Sequence, residues 1–296
     1  MSGSGRDADI LDAVAQFGLQ AVSVTPVSPL TGRARRRGSF RVAIVGGGAI
    51  KARRFETTEI AARQVALRAD LPSGFAPVLG RVGNVLIEPW VEGRVLAEEA
   101  PREEWIARAA ALLAALHMQS HADGHALPFQ ADVLELRDDI LSGLREIAAV
   151  AAIEDAIAAR LSALVEATMP RRPCSHCLIH TDFCAENIVI DAQGEPIVVD
   201  NEHFRFGPAG MDLARTWYRW GWHDRTRSHE WELFRAAYAA AGGDGGAFEH
   251  EPFWRTGALV FSARLRSSIG AKEAARPLQC LIEIAGETSS PGEPFP

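Results

Sequence analysis

The sequence has 296 residues, of which 47% are hydrophobic and 23% are charged, a balance typical of a folded protein with a sizeable core. This composition argues against a disordered chain. The net charge of −7 conceals an asymmetry, because residues 1–90 carry 12 basic against 7 acidic side chains and the remainder is acidic. A basic first third suits a polyanionic ligand such as a nucleotide, while the absence of a basic tail argues against nucleic acid as a partner.

The sequence also bears on compartment and redox state. It contains no run of eighteen apolar residues, and "MSGSGRDADILDAV" lacks the basic-then-apolar layout of a signal peptide. We therefore expect a soluble, cytoplasmic protein that does not contact membranes. The four cysteines are too few for a secreted disulfide framework. The segment "CSHC", residues 174–177, has no second ligand pair at a zinc-site spacing, so structural zinc is not expected.

The first third of the chain is predicted to be rich in strands. A helix is predicted over Asp7–Phe17 and another over "TTEIAARQVALRADL", where threonine and glutamate are typical of a helix start. Three short strands are predicted over "AVSVTPVSPL", "FRVAIV" and "AIKARRF", separated by the loop "TGRARRRGS" and the tight turn "GGG". Two more strands are expected within "APVLGRVGNVLIEPWVEG", ending at Pro89.

The pattern changes to helices near residue 88. Amphipathic helical periodicity covers "PREEWIARAAALLAALHMQS" and then the continuous stretch 132–169. Only "NIVID" and "PIVVD" interrupt the helical part as short strands, and helices resume from Met211. We predict an α+β fold of two lobes, a small β-rich lobe over residues 1–88 and a larger helical lobe over residues 89–296, with a hinge at about 88–93.

A set of polar residues within "IHTDFCAENIVID" predicts chemistry. His180, Asp182 and Asn187 precede a short strand, and Asp200 follows thirteen residues after Asn187. Two strands and a turn separate Asn187 from Asp200, so a hairpin would bring their oxygen atoms together. Mg²⁺ takes one or two such ligands and completes its shell with phosphate oxygens and water. The order is that of a phosphoryl-transfer site, with Asp182 as general base or orienting group for an acceptor hydroxyl.

In these motifs the chain resembles the aminoglycoside phosphotransferase and choline kinase-like family, small-molecule kinases with a protein-kinase-like fold. Further shared features are the lysine strand "AIKAR", the segment "LIEPWVEG", the helix end "LLAALH" at His117 and "GPAGMDLA" with Asp212. The last three are typical of the small-molecule branch. The resemblance implies ATP as the donor, with GTP not excluded, Mg²⁺ as the metal, and a hydroxyl of a small molecule as the acceptor.

The rarity of lysine in this sequence supports a phosphate-binding role for Lys51 independently of the family resemblance. Only Lys51 and Lys272 among the 31 basic residues are lysines. A compact ammonium on a flexible stem can reach nucleotide phosphates and also meet a carboxylate, which a planar guanidinium does differently. By the resemblance, the partner of Lys51 is Glu59 on the following helix, with Glu56 as the alternative.

The loop expected to cover the phosphates is less regular. It contains Gly32 and Gly38 but also Arg33, Arg35, Arg36 and Arg37, so it departs from a glycine-rich loop. Its cations could approach a triphosphate or simply be solvated.

The resemblance assigns adenine recognition to backbone groups from Glu88 to Val91, with Ile87 on the inner side of the pocket. Pro89 has no N–H group, so the amide of Trp90 or Val91 is the expected donor.

Two residues are expected to support the catalytic loop, and three depart from the family pattern. Asp212 opens a helix and is assigned a supporting role by the resemblance, and His180 is expected to brace the loop. Thr181 stands where the family commonly has glycine. Asn201 and Glu202 follow Asp200 where other small residues or a tryptophan are frequent, and Glu202 is an alternative contact for metal or water.

The sequence leaves the acceptor and the oligomeric state open. An aminoglycoside-like, amino sugar-like or choline-like acceptor would suit the acidic residues of the second lobe. These are Asp224, Glu230, Glu232, Glu249 and Glu251. A kinase of a cell-envelope saccharide would instead use basic residues, namely Arg215, Arg219, Arg225 and Arg227. A nucleotide-binding pseudokinase is the third alternative.

Overall fold

The computed structural model describes residues 8–27, 38–99, 102–119, 133–150, 152–171, 174, 176–267 and 271–287. The chain divides into two compact units. The N-terminal unit comprises residues 1–100 and 185–204, and the helical unit comprises residues 101–184 and 205–296. The division into lobes at residues 88–93 stays a prediction.

The N-terminal unit contains an antiparallel sheet of five strands in the order β1-β2-β3-β5-β4. The predicted strands and both predicted helices of this region are present. The elements are α1 (Ala8–Gln16), β1 (Ala21–Pro26), β2 (Gly38–Ile44), β3 (Ala49–Arg54), α2 (Thr58–Leu67), β4 (Gly80–Val82) and β5 (Val85–Pro89). The turn between β2 and β3 contains three glycines with φ of +92°, +99° and +81°, a conformation that residues with a Cβ rarely adopt.

The two faces of this sheet differ in chemistry. Alternate residues of β3, Ile50 and Ala52, lie in an apolar cluster with α1 that excludes water. Lys51 points to the opposite face, where it lies directly across from Glu88 of β5. Leu86 packs with Ala61 of α2 on that second face. The strand alternation therefore buries a lysine and a glutamate side by side.

A second, three-stranded sheet completes the N-terminal unit, with strands in the order β6-β8-β9. Its strands are β6 (Arg94–Val95), β8 (Ile188–Ile190) and β9 (Pro196–Val198). The β8–β9 pair is the hairpin predicted from spacing, and it pairs Ile188 with Val198. Asp191 stabilises the turn because its Oδ1 accepts the backbone N–H groups of Gln193 at 2.9 Å and Glu195 at 2.8 Å.

The helical unit contains seven described α-helices and two strands. The elements are α3 (Glu103–His117), α4 (Val133–Ala149), α5 (Asp155–Thr168), β7 (His176–Ile179), β10 (Arg205–Pro208), α6 (Ala209–Arg219), α7 (Ser228–Ala240), α8 (Glu251–Ser267) and α9 (Ala271–Glu287). The helix α8 lies at the centre and contacts α4, α5, α6 and α9. The strands β7 and β10 form a two-stranded antiparallel sheet that leads into α6. No helix in the described part of the chain combines the length and apolarity needed to cross a bilayer.

The helical pattern over residues 132–169 forms two helices rather than one. The backbone N–H of Ala152 bonds the carbonyl of Ile147 at 3.2 Å, which ends α4. Glu154 is extended at the start of α5, and Ile153 between the helices is buried. The break lets both helices pack against α8, a tertiary gain that local periodicity does not reveal.

Candidate active site

Asp212 fixes the loop that precedes Asp182. It lies in the first turn of α6 and is fully buried. The backbone N–H of His180 donates to Asp212 Oδ2 at 2.7 Å, and that of Thr181 donates to Oδ1 at 2.7 Å. Both carboxylate oxygens are thereby used to hold consecutive peptide groups. The residue that follows is Asp182, whose backbone position is therefore set by this clamp.

A third donor completes the environment of Asp212. His117 Nε2 lies 3.1 Å from Asp212 Oδ2, and His117 Nδ1 lies 2.8 Å from the hydroxyl of Tyr238. Burial alone would favour the neutral acid, but the hydrogen bond from His117 and the charge and N–H groups around it hold the pKa of Asp212 below its ordinary value. The carboxylate is therefore kept ionised by donors from α3 and from the loop.

Thr181 explains why the family pattern has glycine at this position. Its φ is +67°, in the left-handed region where a β-branched residue is strained. Such a conformation costs of the order of 1–3 kcal/mol and persists where surrounding contacts impose it. The hydrogen bond to Asp212 is one such contact. The departure noticed in the sequence is thus a strained threonine in a glycine conformation.

The Asp182 side chain is partly exposed and lies beside a cation. Its side chain is 32% exposed, and Oδ1 is 3.0 Å from Nε of Arg219. The backbone N–H of Asp182 donates to His180 Nδ1 at 3.3 Å. Arg219 also donates to Cys184 Sγ at 3.1 Å. The helical unit thus holds a carboxylate on a clamped loop, with His180 and Arg219 as neighbours.

The β8–β9 hairpin places the backbones of Asn187 and Asp200 near each other. The backbone N–H of Val199 donates to the carbonyl of Asn187 at 2.8 Å, and Asp200 is the next residue. Asp200 has a φ of +58° and a side chain that is 45% exposed. A carboxylate and an amide oxygen are hard ligands, so this pair fits Mg²⁺. The described residues hold no group of three or more His, Cys, Asp or Glu able to bind a metal, so phosphate and water would supply the other ligands.

Lys51 is buried among three carboxylates. It pairs with Asp200, with Glu202 Oε2 at 3.6 Å and with Glu88 Oε2 at 3.8 Å. Burial alone would lower the pKa of Lys51, but the charges of Glu88, Glu202 and Asp200 outweigh it and raise the pKa above its ordinary value. The ammonium therefore stays charged.

The predicted partner of Lys51 was wrong. Glu59 is exposed in the first turn of α2, where its own backbone N–H and the hydroxyl of Thr57 lower its pKa. Within the described residues, neither Glu59 nor Glu56 forms an ion pair with Lys51. The reason is that Glu59 serves the helix terminus, where a carboxylate meets free N–H groups.

Glu88 is one of the carboxylates that pair with Lys51, although Glu59 or Glu56 was the expected partner. Only its backbone was expected to matter, but its side chain is 3% exposed and pairs with Arg68 as well as Lys51. Arg68 also donates to the carbonyl of Ala76 at 3.0 Å. A single carboxylate inside the apolar strand "VLIEP" was the signal, because a buried carboxylate requires a cation.

Glu202 is another carboxylate that pairs with Lys51 and was not expected to do so. Its side chain is 10% exposed, and Oε1 is 2.7 Å from Nη1 of Arg53. Its Oε2 is buried without a hydrogen-bond partner. Arg53 and Lys51 lie on the same face of β3, two residues apart. Glu202 therefore links two cations of one strand, a role that the sequence did not predict.

The expected adenine contacts lie at the end of β5. The backbone N–H of Trp90 donates to the carbonyl of Ala49 at 3.4 Å, so this amide is already used. Among the described residues, the Val91 amide has no hydrogen-bond partner. Ile87 was expected on the inner side of the pocket, but it is fully buried in the apolar cluster with α1, on the sheet face opposite Lys51. Gly32 and the arginines at 33–37 lie outside the described residues.

The sequence model of the phosphotransferase enzyme family matches residues 80–253, which is more than half of the chain. The chain belongs to this family. The resemblance and the predicted enzyme class, a small-molecule phosphotransferase, are confirmed. No protein of curated function matches the sequence.

Solved structures that resemble the phosphotransferase are distant in sequence but cover nearly all of it. A macrolide 2′-phosphotransferase type I has a TM-score of 0.67 at 16% identity, covering 94% of this chain and 97% of its own. A choline kinase from Cryptosporidium parvum has a TM-score of 0.66 at 11% identity, with 90% of each chain covered. The choline kinase of Streptococcus pneumoniae has a TM-score of 0.66 at 12% identity, with 96% and 100% covered. These likenesses confirm the predicted α+β, protein-kinase-like fold.

Proposed function

We propose that the protein transfers the γ-phosphate of ATP, with GTP as an alternative donor, to a hydroxyl group of a small polar molecule in an Mg²⁺-dependent reaction. The observation that carries the proposal is the clamp of Asp212 on His180 and Thr181, which fixes the backbone next to Asp182. Family membership and solved neighbours named as macrolide phosphotransferase and choline kinase support it. Because ATP is the donor, we place the reaction in the cytoplasm.

Asp182 is assigned to the acceptor. Its partly exposed carboxylate accepts the hydrogen bond of the acceptor hydroxyl and orients it for attack. As the phosphoryl group transfers, the hydroxyl proton moves to this carboxylate. A positioned base of this kind contributes about 10²- to 10⁴-fold to the rate. His180 and Asp212 act only by holding the loop.

The N-terminal unit is assigned to the nucleotide. The ammonium of Lys51 binds α- and β-phosphate oxygens, for which it must leave Asp200. Asn187 and Asp200 would hold Mg²⁺, which when bound neutralises phosphate charge. The Val91 amide is the donor to the adenine ring. In this assignment residues 1–88 form the nucleotide lobe and residues 89–296 contain the catalytic loop and the acceptor site.

The test is a coupled nucleotide-consumption screen of hydroxyl compounds with the wild-type chain, Asp182→Asn and Asp200→Ala. We expect wild-type turnover with at least one acceptor. Asp182→Asn should lower kcat by about 10²- to 10⁴-fold with little change in the KM for ATP. Asp200→Ala should abolish turnover at ordinary Mg²⁺ concentrations.

Two outcomes separate the alternatives. Undiminished turnover by Asp182→Asn would show that this residue is not the catalytic carboxylate. ATP binding without turnover of any acceptor or of water would instead favour a pseudokinase.

A further inference from the structure

Three arginines of the helical unit lie in one row, which we call the arginine row: Arg205, Arg215 and Arg219. Arg215 and Arg219 are one turn apart on α6 and share a face. Arg205 of β10 reaches the same face, because its Nη2 is 3.4 Å from Sδ of Met211, one turn before Arg215. The row ends at the proposed catalytic carboxylate, since Arg219 lies 3.0 Å from Asp182.

Two members of the row form no direct ion pair. Among the described residues, no carboxylate lies within ion-pair distance of Arg205 or Arg215. The Nε of Arg215 is buried without a hydrogen-bond partner. Burial lowers the pKa of Arg215, an effect that Asp182 and Asp212 oppose and the neighbouring arginines reinforce. A largely buried cation without an ion-pair partner is unfavourable, so the row is prepared for an anion.

Packing holds Arg215 in this position. Its guanidinium lies 4.4 Å from the ring centroid of Phe261 on α8, a cation–π geometry. The side chain is therefore oriented before any ligand arrives. Arginine also suits this task chemically, since its planar group binds carboxylate or phosphate oxygens in a bidentate manner.

Four of the five carboxylates expected to attract a cationic acceptor have partners within the described residues, whereas the exposed Glu249 forms no ion pair there. Asp224 accepts the backbone N–H and the hydroxyl of Thr226. The other pairs are Glu230 with Arg227, Glu232 with Arg235, and Glu251 with Arg255. Pairing removes most of their attraction for a cation. Arg205 and Arg215, by contrast, form no ion pair within the described residues.

We propose that the acceptor itself carries an oxyanion, a carboxylate or a phosphate, which Arg205 and Arg215 bind while the hydroxyl lies at Asp182. The inference rests on the proposed function and names its substrate class. One helical turn spans about 5–6 Å, so anion and hydroxyl must be separated by roughly that distance. Sugar acids, sugar phosphates and small hydroxy acids meet this requirement. Arg219 remains a positioning residue for Asp182.

The test compares compounds that differ only in charge. One set is glucose, glucosamine, glucuronate and glucose 6-phosphate; the other is glycerol, serinol, glycerate and glycerol 3-phosphate. Binding to the full chain is measured by calorimetry at constant ionic strength. At least one anionic member should bind about tenfold or more tightly than its neutral and cationic counterparts, as expected for charge-assisted hydrogen bonds. The carboxylate and phosphate members distinguish the two oxyanions.

Variants tie this preference to the row. Arg215→Met removes the charge but keeps an apolar stem on Phe261, and it should weaken anion binding by about 10- to 100-fold. Arg215→Lys should retain part of the binding. The matched control is Arg264→Met, an arginine of α8 paired with Asp139 at 2.8 Å, which should bind anions like the wild type.

Three results would overturn the inference: tightest binding of glucosamine or serinol, no binding of any anionic member, or wild-type anion affinity in Arg215→Met. Asp200→Ala separates the two proposals, because it should lose turnover and keep anion binding. Anion binding without turnover in any variant would contradict the proposed function alone.

Discussion

The two units hold their buried carboxylates in different ways. In the N-terminal unit, Glu88 faces the cations of Arg68 and Lys51. In the helical unit, Asp212 faces two backbone N–H groups and His117. The backbone donors cannot move away without unfolding the loop, whereas a lysine can exchange one anion for another. The first arrangement is suited to ligand exchange and the second to fixed geometry.

Charge balance sharpens this contrast. Three cations of the N-terminal unit, Lys51, Arg53 and Arg68, meet three carboxylates, Glu88, Asp200 and Glu202. The cluster is neutral without a ligand. Phosphate groups would add negative charge to it, which a bound cation would offset. The Mg²⁺ of the proposed function would supply such a cation.

Asp212→Asn tests the fixed geometry and should have the largest effect. Asparagine has one acceptor oxygen, and its NH₂ group would face a backbone N–H that has lost its partner. Breaking a buried charged network costs about 3–5 kcal/mol, so we expect a loss of this size in the free energy of unfolding. Urea unfolding measures it.

Two controls belong to that prediction. Asp139→Asn removes a carboxylate whose side chain is 56% exposed, and it should change stability by less than about 1 kcal/mol. The pKa of Asp212 is lowered in the folded state, so its contribution is present above the ordinary aspartate pKa of about 3.9 and is lost as the pH falls below it. Asp212→Asn should lack this part of the acid sensitivity. Equal stability of both variants at neutral pH would contradict the clamp.

Glu202→Gln tests the exchangeable cluster. The substitution removes the carboxylate charge that pairs with both Lys51 and Arg53. Lys51 should then bind Asp200 more persistently. That competition should raise the KM for ATP and the Mg²⁺ concentration needed for half-maximal rate by about tenfold, with a smaller change in kcat. Steady-state kinetics at varied Mg²⁺ measures both. Glu59→Gln, at the position first expected to hold Lys51, should leave them unchanged; the reverse ranking of the two variants would restore the original pairing.

Local features of this site were predictable from sequence. The β8–β9 hairpin joins "NIVID" to "PIVVD" over a short turn, so its pairing followed from neighbouring residues. The glycines between β2 and β3 and the threonine at the start of α2 were equally local signals. Each of these depends on a few consecutive residues.

The ion-pair partners of Lys51 and Arg53 could not be predicted from neighbouring residues. Glu88 meets Lys51 because of the register between β3 and β5, and Glu202 meets Arg53 although 149 positions separate them. Tertiary register decides such pairs. The conformation of Thr181 was also hidden, because a threonine gives no sign of a positive φ. Only the family resemblance marked that position as unusual.

Thr181→Gly tests the strain that accompanies the fixed geometry and should have the smallest effect. Glycine adopts a φ of +67° freely and retains the backbone N–H that Asp212 accepts. The relief of strain exceeds the added entropy of the unfolded chain only slightly, so we expect a gain of about 1 kcal/mol or less in the free energy of unfolding, with kcat retained.

The sign of the change makes this last experiment decisive. Thr58→Gly provides the control, because Thr58 is exposed in the first turn of α2 with ordinary helical backbone. There glycine should destabilise the protein by a few tenths of a kcal/mol to about 1 kcal/mol. Opposite signs for the two variants would locate the strain at the clamped loop. A loss in both would mean that the Thr181 side chain stabilises the loop by more than its backbone conformation costs.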